Sequence, residues 1–242
     1  MDLRLKGLKA VVTGGSAGIG AAIVETLARE GCDVITCSRS RERNLRLLET
    51  LETYPVEARA DEVDVSSPDA EDWIASLGRF DIFIPNVSAL SGDWKSSIAT
   101  DLNATVTLTE AAIRAMSSSK NAAITYVGSK AATFATPGVE AYGATKAAAT
   151  HYIKSLSQRL AGAVRANVVS PGDTFVEGGF WDNIRRDSPS VYEATKNNNP
   201  MKRFCTPQEV ASAVAFISSP VASFINGAHL LVDGGATVHI HG

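Results

Sequence analysis

Tyr142 and Lys146 stand four residues apart in Tyr142-Gly143-Ala144-Thr145-Lys146, a spacing that puts both on one face of a helix. An ammonium beside a phenol favours the phenolate, and so draws a group that titrates near ~10 toward acid/base work at neutral pH. Taken alone, the pair reads better as a plain surface contact between helix neighbours. Ser129 gives it company. It ends the apolar stretch AAITYVGS thirteen residues before Tyr142, at the carboxyl edge where parallel sheets bind their ligands.

A second group of residues has the chemistry for a phosphate. Thr13-Gly14-Gly15-Ser16-Ala17-Gly18-Ile19-Gly20 follows a short apolar run and precedes a helical pattern. Glycines let the backbone approach a pyrophosphate, and the helix N-terminus offers unpaired N–H groups with partial positive charge. A tight strand-to-helix turn is the plain alternative, but the placement favours a dinucleotide. The next apolar run ends Cys37-Ser38-Arg39-Ser40. An NAD site would put a carboxylate there, on the ribose 2'-hydroxyl. A guanidinium grips a 2'-phosphate instead, so the sequence leans to NADP(H), against the plainer reading of a solvated arginine among Arg41 and Arg43.

These residues need a scaffold of alternating strands and helices, and the periodicity supplies one. Strands are expected at Lys9–Thr13, Asp33–Ser38, 56–60, 80–85, 122–127 and 166–169, and helices at 21–29, Arg41–Glu52 and 69–77. Two longer helices are expected at about 94–118 and 139–160, both rich in Ala, Thr and Ser. Such alternation predicts one α/β domain over residues 1–242, a Rossmann-type, doubly wound parallel sheet with helices on both faces. Residues 175–204 break the pattern, being irregular, aromatic and polar by turns. They read as a substrate lid, with Phe175, Phe180, Trp181 and Tyr192 as candidate substrate contacts, alongside Ser129.

The glycine turn, Ser129, Tyr142 and Lys146 together resemble the short-chain dehydrogenase/reductase family, and the likeness covers nearly the whole chain. The resemblance implies further roles. Asp64-Val65 resembles the adenine-contacting pair, Asn103 in Asp101-Leu102-Asn103 the active-site asparagine, and Asn86 a cofactor residue. Pro171-Gly172 resembles the turn that backs the nicotinamide, Thr174 the hydroxyl contact to its carboxamide, and Val232-Asp233-Gly234-Gly235 the C-terminal signature. Hydride transfer between the nicotinamide and a small-molecule carbonyl or alcohol is implied, as is a homotetramer. Tyr142 would move the proton, Ser129 hold the substrate oxygen, Lys146 bind the nicotinamide ribose, and Asn103 support a water relay.

Two departures stand out. Pro85-Asn86-Val87-Ser88 replaces the usual Asn-Asn-Ala-Gly, and only sixteen residues separate Asn86 from Asn103, which cuts back one wall of the substrate cleft. A wider Tyr–Lys spacing marks the family's enoyl reductases, so that activity is disfavoured. An NAD-dependent alcohol dehydrogenase and a non-catalytic NADP(H)-binding sensor are the competing readings.

Composition narrows the field further. The 242 residues are 45% hydrophobic with a net charge of −3, so a core is affordable and no basic face suits nucleic acid. Three cysteines with no C-x-x-C pair point to reduced thiols. Met1–Gly7 has no long apolar run, so neither a signal peptide nor a membrane span is expected, and the location would be cytoplasmic. His239-Ile240-His241 could place two imidazoles together but lacks a third ligand, and reads as a frayed tail.

Overall fold

The computed structural model describes residues 1–238. Seven strands form one sheet: β1 (Lys9–Thr13), β2 (Asp33–Ser38), β3 (Ala58–Glu62), β4 (Ile82–Ile84), β5 (Ala123–Val127), β6 (Arg165–Pro171) and β7 (His229–Val232). Their order is β3-β2-β1-β4-β5-β6-β7, and every pairing is parallel. The chain reverses direction across the sheet between β1 and β4, which opens a crevice at the carboxyl ends of both. The strand ends are level there, Thr13 pairing with Cys37 and Val127 with Val169.

Helices cover both faces because the strands are apolar on both. On β1, Val11 packs into one core while Ala10 and Val12 pack into the other, as a period of two requires. The first face is covered by α3 (Ala70–Ser76), α5 (Ala104–Met116) and α6 (Glu140–Arg159). The second is covered by α1 (Gly18–Arg29), α2 (Arg41–Leu51) and α9 (Pro207–Ser218). Ile23, Val24 and Leu27 of α1 are fully buried against that second face, each contributing about 1.5–3 kcal/mol.

The expected helix at 94–118 is interrupted. It begins as α4 (Trp94–Ser97), continues as a π-helical segment over Ile98–Asn103, and resumes as α5. A π turn inserts extra backbone into a helix and re-aims the side chains on it. The segment expected to be irregular at 175–204 instead contains α7 (Phe180–Asp187) and α8 (Pro189–Asn198). His239-Ile240-His241 lies outside the described residues.

Candidate active site

Lys146 sits on α6 with 1% of its surface exposed, and three groups face its ammonium. The Tyr142 ring centroid is 5.8 Å away, the ring of Tyr126 on β5 is 5.2 Å away, and Asp101 Oδ1 lies at 3.3 Å. Burial by itself weakens the ammonium's hold on its proton. The surrounding Tyr126, Tyr142 and Asp101 outweigh that cost and hold Lys146 above the ordinary lysine range.

Asn103 does not join this cluster. It is exposed, whereas Asp101 is fully buried. In any helix near 3.6 residues per turn, side chains two positions apart point to opposite sides. Here Asp101 faces inward and Asn103 outward, so the group against Lys146 is a carboxylate and not the expected amide. Reading residues 94–118 as one regular helix carried no signal for this. The acidic residue two places earlier was the clue.

Ser129 is buried at the end of β5, where it caps a short 3-10 turn over Lys130–Ala132 by accepting a hydrogen bond from Ala131 N at 3.1 Å. That turn packs on α6 beside Tyr142: a Cβ built on Gly143 would stand 3.2 Å from Ala131 O and 2.4 Å from Thr136 Oγ1. Only glycine lets the two segments approach so closely. Sequence reasoning missed the ion pair beside it, in which Lys130 meets Asp173 at 2.5 Å, joining the loop after Ser129 to the loop after Gly172.

The glycine turn has the form a pyrophosphate needs. Gly14 and Gly18 adopt φ of 70° and 55°, a region that side chains disfavour. A Cβ on Gly20 would stand 2.1 Å from Gly14 O. Ala17 caps α1 without a side-chain hydrogen bond, leaving the first-turn N–H groups to a ligand. Thr13 and Asn86 brace the turn: Asn86 N donates to Thr13 Oγ1 at 3.0 Å, and its side-chain amide donates to Thr13 O at 3.0 Å and to Gly14 O at 3.2 Å. Ser16 and Ile19 are partly exposed on the same turn.

At the end of β2, Ser38 Oγ donates to Asn44 Oδ1 at 2.7 Å, and Arg39 is exposed. Among the described residues Arg39 makes no salt bridge. Asp64 is exposed nearby, with its carboxyl held below the usual range by hydrogen bonds from Ser66 and, less strongly, by Arg39. The Val65 side chain is buried in the core, which leaves its backbone to meet a ligand. Pro171 is buried, and Gly172 lies against Asp233, where a Cβ would meet Asp233 Cα at 2.7 Å. Thr174 spends its hydroxyl on Gly172 O at 3.1 Å. Val176, not singled out by the sequence, is the residue that reaches the glycine turn, 3.4 Å from a Cβ placed on Gly18.

The four aromatic candidates mainly meet one another. Tyr192 and Trp181 lie tilted against Phe204 with centroids 4.7 and 5.0 Å away, while Phe180 meets Trp181 edge-on at 5.2 Å and Phe175 meets Tyr192 edge-on at 6.2 Å. They form a small core that joins α7 and α8 to the body of the fold, and Phe180 alone of them is mostly exposed. The shortened loop after Asn86 reaches the start of α6, where a Cβ on Gly92 would lie 3.4 Å from Gly138 O.

A cleft of roughly 440 Å³ is lined by Phe134, Pro137, Glu140, Gly143, Ala144 and Ala147 among others. Its α6 residues lie about 100–200° around the helix from Tyr142, at 100° per residue. Ala131 and Ala132, in the turn that follows Ser129, line the same cleft.

Comparison with known proteins agrees with this arrangement. Residues 14–237 match the family described as enoyl-(acyl carrier protein) reductase. The chain is 33% identical to an isoepoxydon dehydrogenase of Penicillium expansum, covering 98% of this chain and 96% of that one. It is 34% identical to a D-threitol dehydrogenase of Mycolicibacterium smegmatis, covering 98% and 95%. Its fold matches L-sorbose reductase from Gluconobacter frateurii, solved with NADPH and L-sorbose, with a TM-score of 0.92 and 26% identity over 99% of this chain and 100% of that one. A glycine cradle at the switch point, a phenol and an ammonium on one helix, and these full-length likenesses lead to one conclusion: the chain belongs to the short-chain dehydrogenase/reductase family of oxidoreductases.

Proposed function

We propose that the chain uses NADP(H) to interconvert a carbonyl and a secondary alcohol on a small, oxygen-rich molecule, with Tyr142 as general acid/base. The observation that carries this reading is the sealed ammonium of Lys146, 5.8 Å from the Tyr142 ring. When bound, the cofactor supplies the hydride.

The chain's own residues do the rest. The turn from Thr13 to Gly20 would hold the pyrophosphate through Gly14, Ser16, Gly18 and Ile19, with Asn86 fixing its shape. Ser38 and Arg39 would take the 2'-phosphate, and Asp64 and the Val65 backbone the adenine. Pro171, Gly172 and Thr174 would back the nicotinamide. Ser129 would donate a hydrogen bond to the substrate oxygen, and Tyr142 would give it a proton in reduction or remove one in oxidation. The ammonium of Lys146 favours the phenolate that this exchange leaves behind.

The substrate class rests on Lys130 and Asp173, a charged pair beside Ser129 and Gly172. Polar groups there suit hydroxyls better than hydrocarbon. The D-threitol dehydrogenase and the L-sorbose reductase, by name, act on a polyol and a ketose. Tyr142 and Lys146 keep the spacing of four, which speaks against enoyl reduction.

Steady-state rates with NADPH and NADH across ketoses, hydroxylated cyclic ketones and aryl ketones test the whole proposal. NADPH should be preferred at least tenfold, with the oxygen-rich carbonyls fastest. Arg39→Ala should raise the KM for NADPH and spare that for NADH. Aryl ketones turning over fastest would replace the polar class with an apolar one, and an NADH preference would remove the 2'-phosphate from the argument.

A homotetramer belongs to the same proposal, because the 440 Å³ cleft and the exposed Phe134 and Val139 leave an apolar surface beside α6. Light scattering would measure the assembly. A cytoplasmic location is proposed from the unpaired thiols of Cys32, Cys37 and Cys205. Among the described residues no helix is long and apolar enough to cross a membrane.

A further inference from the structure

Asp101 is fully buried, and its two oxygens have different surroundings. Oδ2 accepts a hydrogen bond from Ala89 N at 3.2 Å, in the shortened loop. Oδ1 lies 3.3 Å from Lys146 Nζ and makes no hydrogen bond of normal geometry. Tyr126 Oη, fully buried, faces the same ammonium and makes no other hydrogen bond among the described residues. The groups facing Lys146 are therefore Asp101 from the π-helical segment, Tyr126 from β5 and Tyr142 from its own helix. No second cation pairs with Asp101 among the described residues.

A carboxylate sealed from water needs a countercharge, and Lys146 is the one within reach. The same ammonium is what favours the Tyr142 phenolate. One positive charge thus serves two anionic partners. A negative charge already in place makes the second one harder to form.

We propose that Asp101 is a positioning residue that sets the working pH of Tyr142: it pins the Lys146 ammonium, ties that position to the loop at Ala89, and offsets part of the charge that would otherwise favour the phenolate. An uncharged side chain at this position releases the full field of the ammonium. The proposal rests on the acid/base reading of Tyr142. It makes a claim that reading does not contain, namely that the residue behind the lysine acts by charge.

The sign follows directly. Removing the carboxylate removes a like charge from the neighbourhood of the phenolate, so the phenol ionises at lower pH. For a charge several ångströms away at an effective dielectric near 20, the shift is about one to two pH units.

Asp101→Asn tests it, since the amide keeps the shape and an oxygen for Ala89 N. Ionised phenol would be followed by ultraviolet absorbance as the ligand-free protein is titrated, with and without Tyr142→Phe, so that the difference isolates Tyr142. The Tyr142 midpoint should fall by about one pH unit or more in Asp101→Asn, and the alkaline limb of kcat/KM should move the same way. Asp101→Glu, which keeps the charge, should restore most of the parental midpoint. If Asp101→Asn does not fold, Asp101→Ser carries the same neutral test.

A midpoint unmoved in the folded neutral variant overturns the proposal. So does one displaced equally by asparagine and glutamate, because that outcome reports packing. The absorbance titration needs no substrate. It separates failure of this inference from failure of the reductase reading, which would show as absent turnover with the shift intact.

Discussion

The Lys146 cluster and the α7–α8 segment are held together by opposite means. Around Lys146 the binding is ionic and sealed: Asp101 and Lys146 are 0% and 1% exposed, and no aliphatic side chain could replace either without stranding the other. In the α7–α8 region it is aromatic and partly open, with Phe175, Trp181 and Tyr192 half-buried around Phe204 and with Arg185 over the Phe175 ring at 5.0 Å. A sealed ion pair has one good geometry. Stacked rings tolerate sliding over a range of separations. The first holds its groups in one arrangement, and the second leaves its segment room to shift.

The sharpest way to break this contrast is to remove the chemistry from the sealed half. Tyr142→Phe should lower turnover about 10²- to 10⁴-fold, while fluorescence titration shows cofactor binding largely retained. Turnover at the parental rate would leave the sealed cluster without a chemical purpose.

Next in size is Lys146→Met, which strands the Asp101 carboxylate in the interior. Breaking a buried pair in this way costs about 3–5 kcal/mol, and in a chain of this size each kcal/mol moves the melting temperature by about 2–4 °C. Lys146→Met with Asp101→Leu should regain much of that loss, because neither charge is then left behind. Equal melting temperatures for the single and double variants would show that the pair is not what seals the site.

Much of the contrast could be read before any coordinates, for reasons that differ between its halves. The sheet was legible because strands apolar on both faces, separated by helical patterns, have few other ways to bury themselves, as at Lys9–Thr13 and Asp33–Ser38. Tyr142 and Lys146 were legible because α6 runs unbroken through both, so a spacing of four keeps its meaning. Asn103 was chosen by resemblance within Asp101-Leu102-Asn103, and a motif match does not say which of its residues faces inward; here Asp101 is buried and Asn103 exposed. The rings at 175–204, read as substrate contacts, pack on one another and on Phe204. Aromatic composition predicts burial of rings, and says nothing about whether a ring meets a ligand or another ring. α7 and α8 were hidden because their apolar partners, above all Phe204, come from outside the helices themselves.

The open half can be sharpened with Phe204→Ala. Phe204 is the one ring of the group that is nearly fully buried, at 7% exposure, and it touches both Trp181 and Tyr192. Full core phenylalanines cost about 3–5 kcal/mol when truncated, and this small, local core should lose about 2 kcal/mol, felt mainly as local opening. Hydrogen exchange should quicken over residues 175–204 with little change in β1 or β5, and the substrate KM should rise more than kcat falls. Uniform acceleration across the sheet would mean that the segment is part of the main core and cannot move by itself.

The smallest effect lies where the α7–α8 segment rejoins the body, at the start of α9. Thr206 caps this helix, with its hydroxyl accepting from Glu209 N at 3.3 Å and Glu209 Oε2 accepting from Thr206 N at 2.9 Å, while Arg203 grips the same carboxylate at 2.6 Å. Thr206→Ala should cost about 0.5–1 kcal/mol. Hydrogen bonds from Arg203, then from Thr206, pull the Glu209 carboxyl down to about 2. A carboxyl lowered on folding stabilises above its unfolded value and loses that contribution as the pH falls through its folded one. The window here runs from about pH 4.5, the ordinary glutamate value, to about pH 2. Because the pair is exposed, the contribution is modest and should shrink further in salt. Glu209→Gln should therefore flatten the acid-side fall in melting temperature between those limits. An unchanged slope would show that the ring contacts at Phe204, and not this capping carboxylate, fasten the segment to α9.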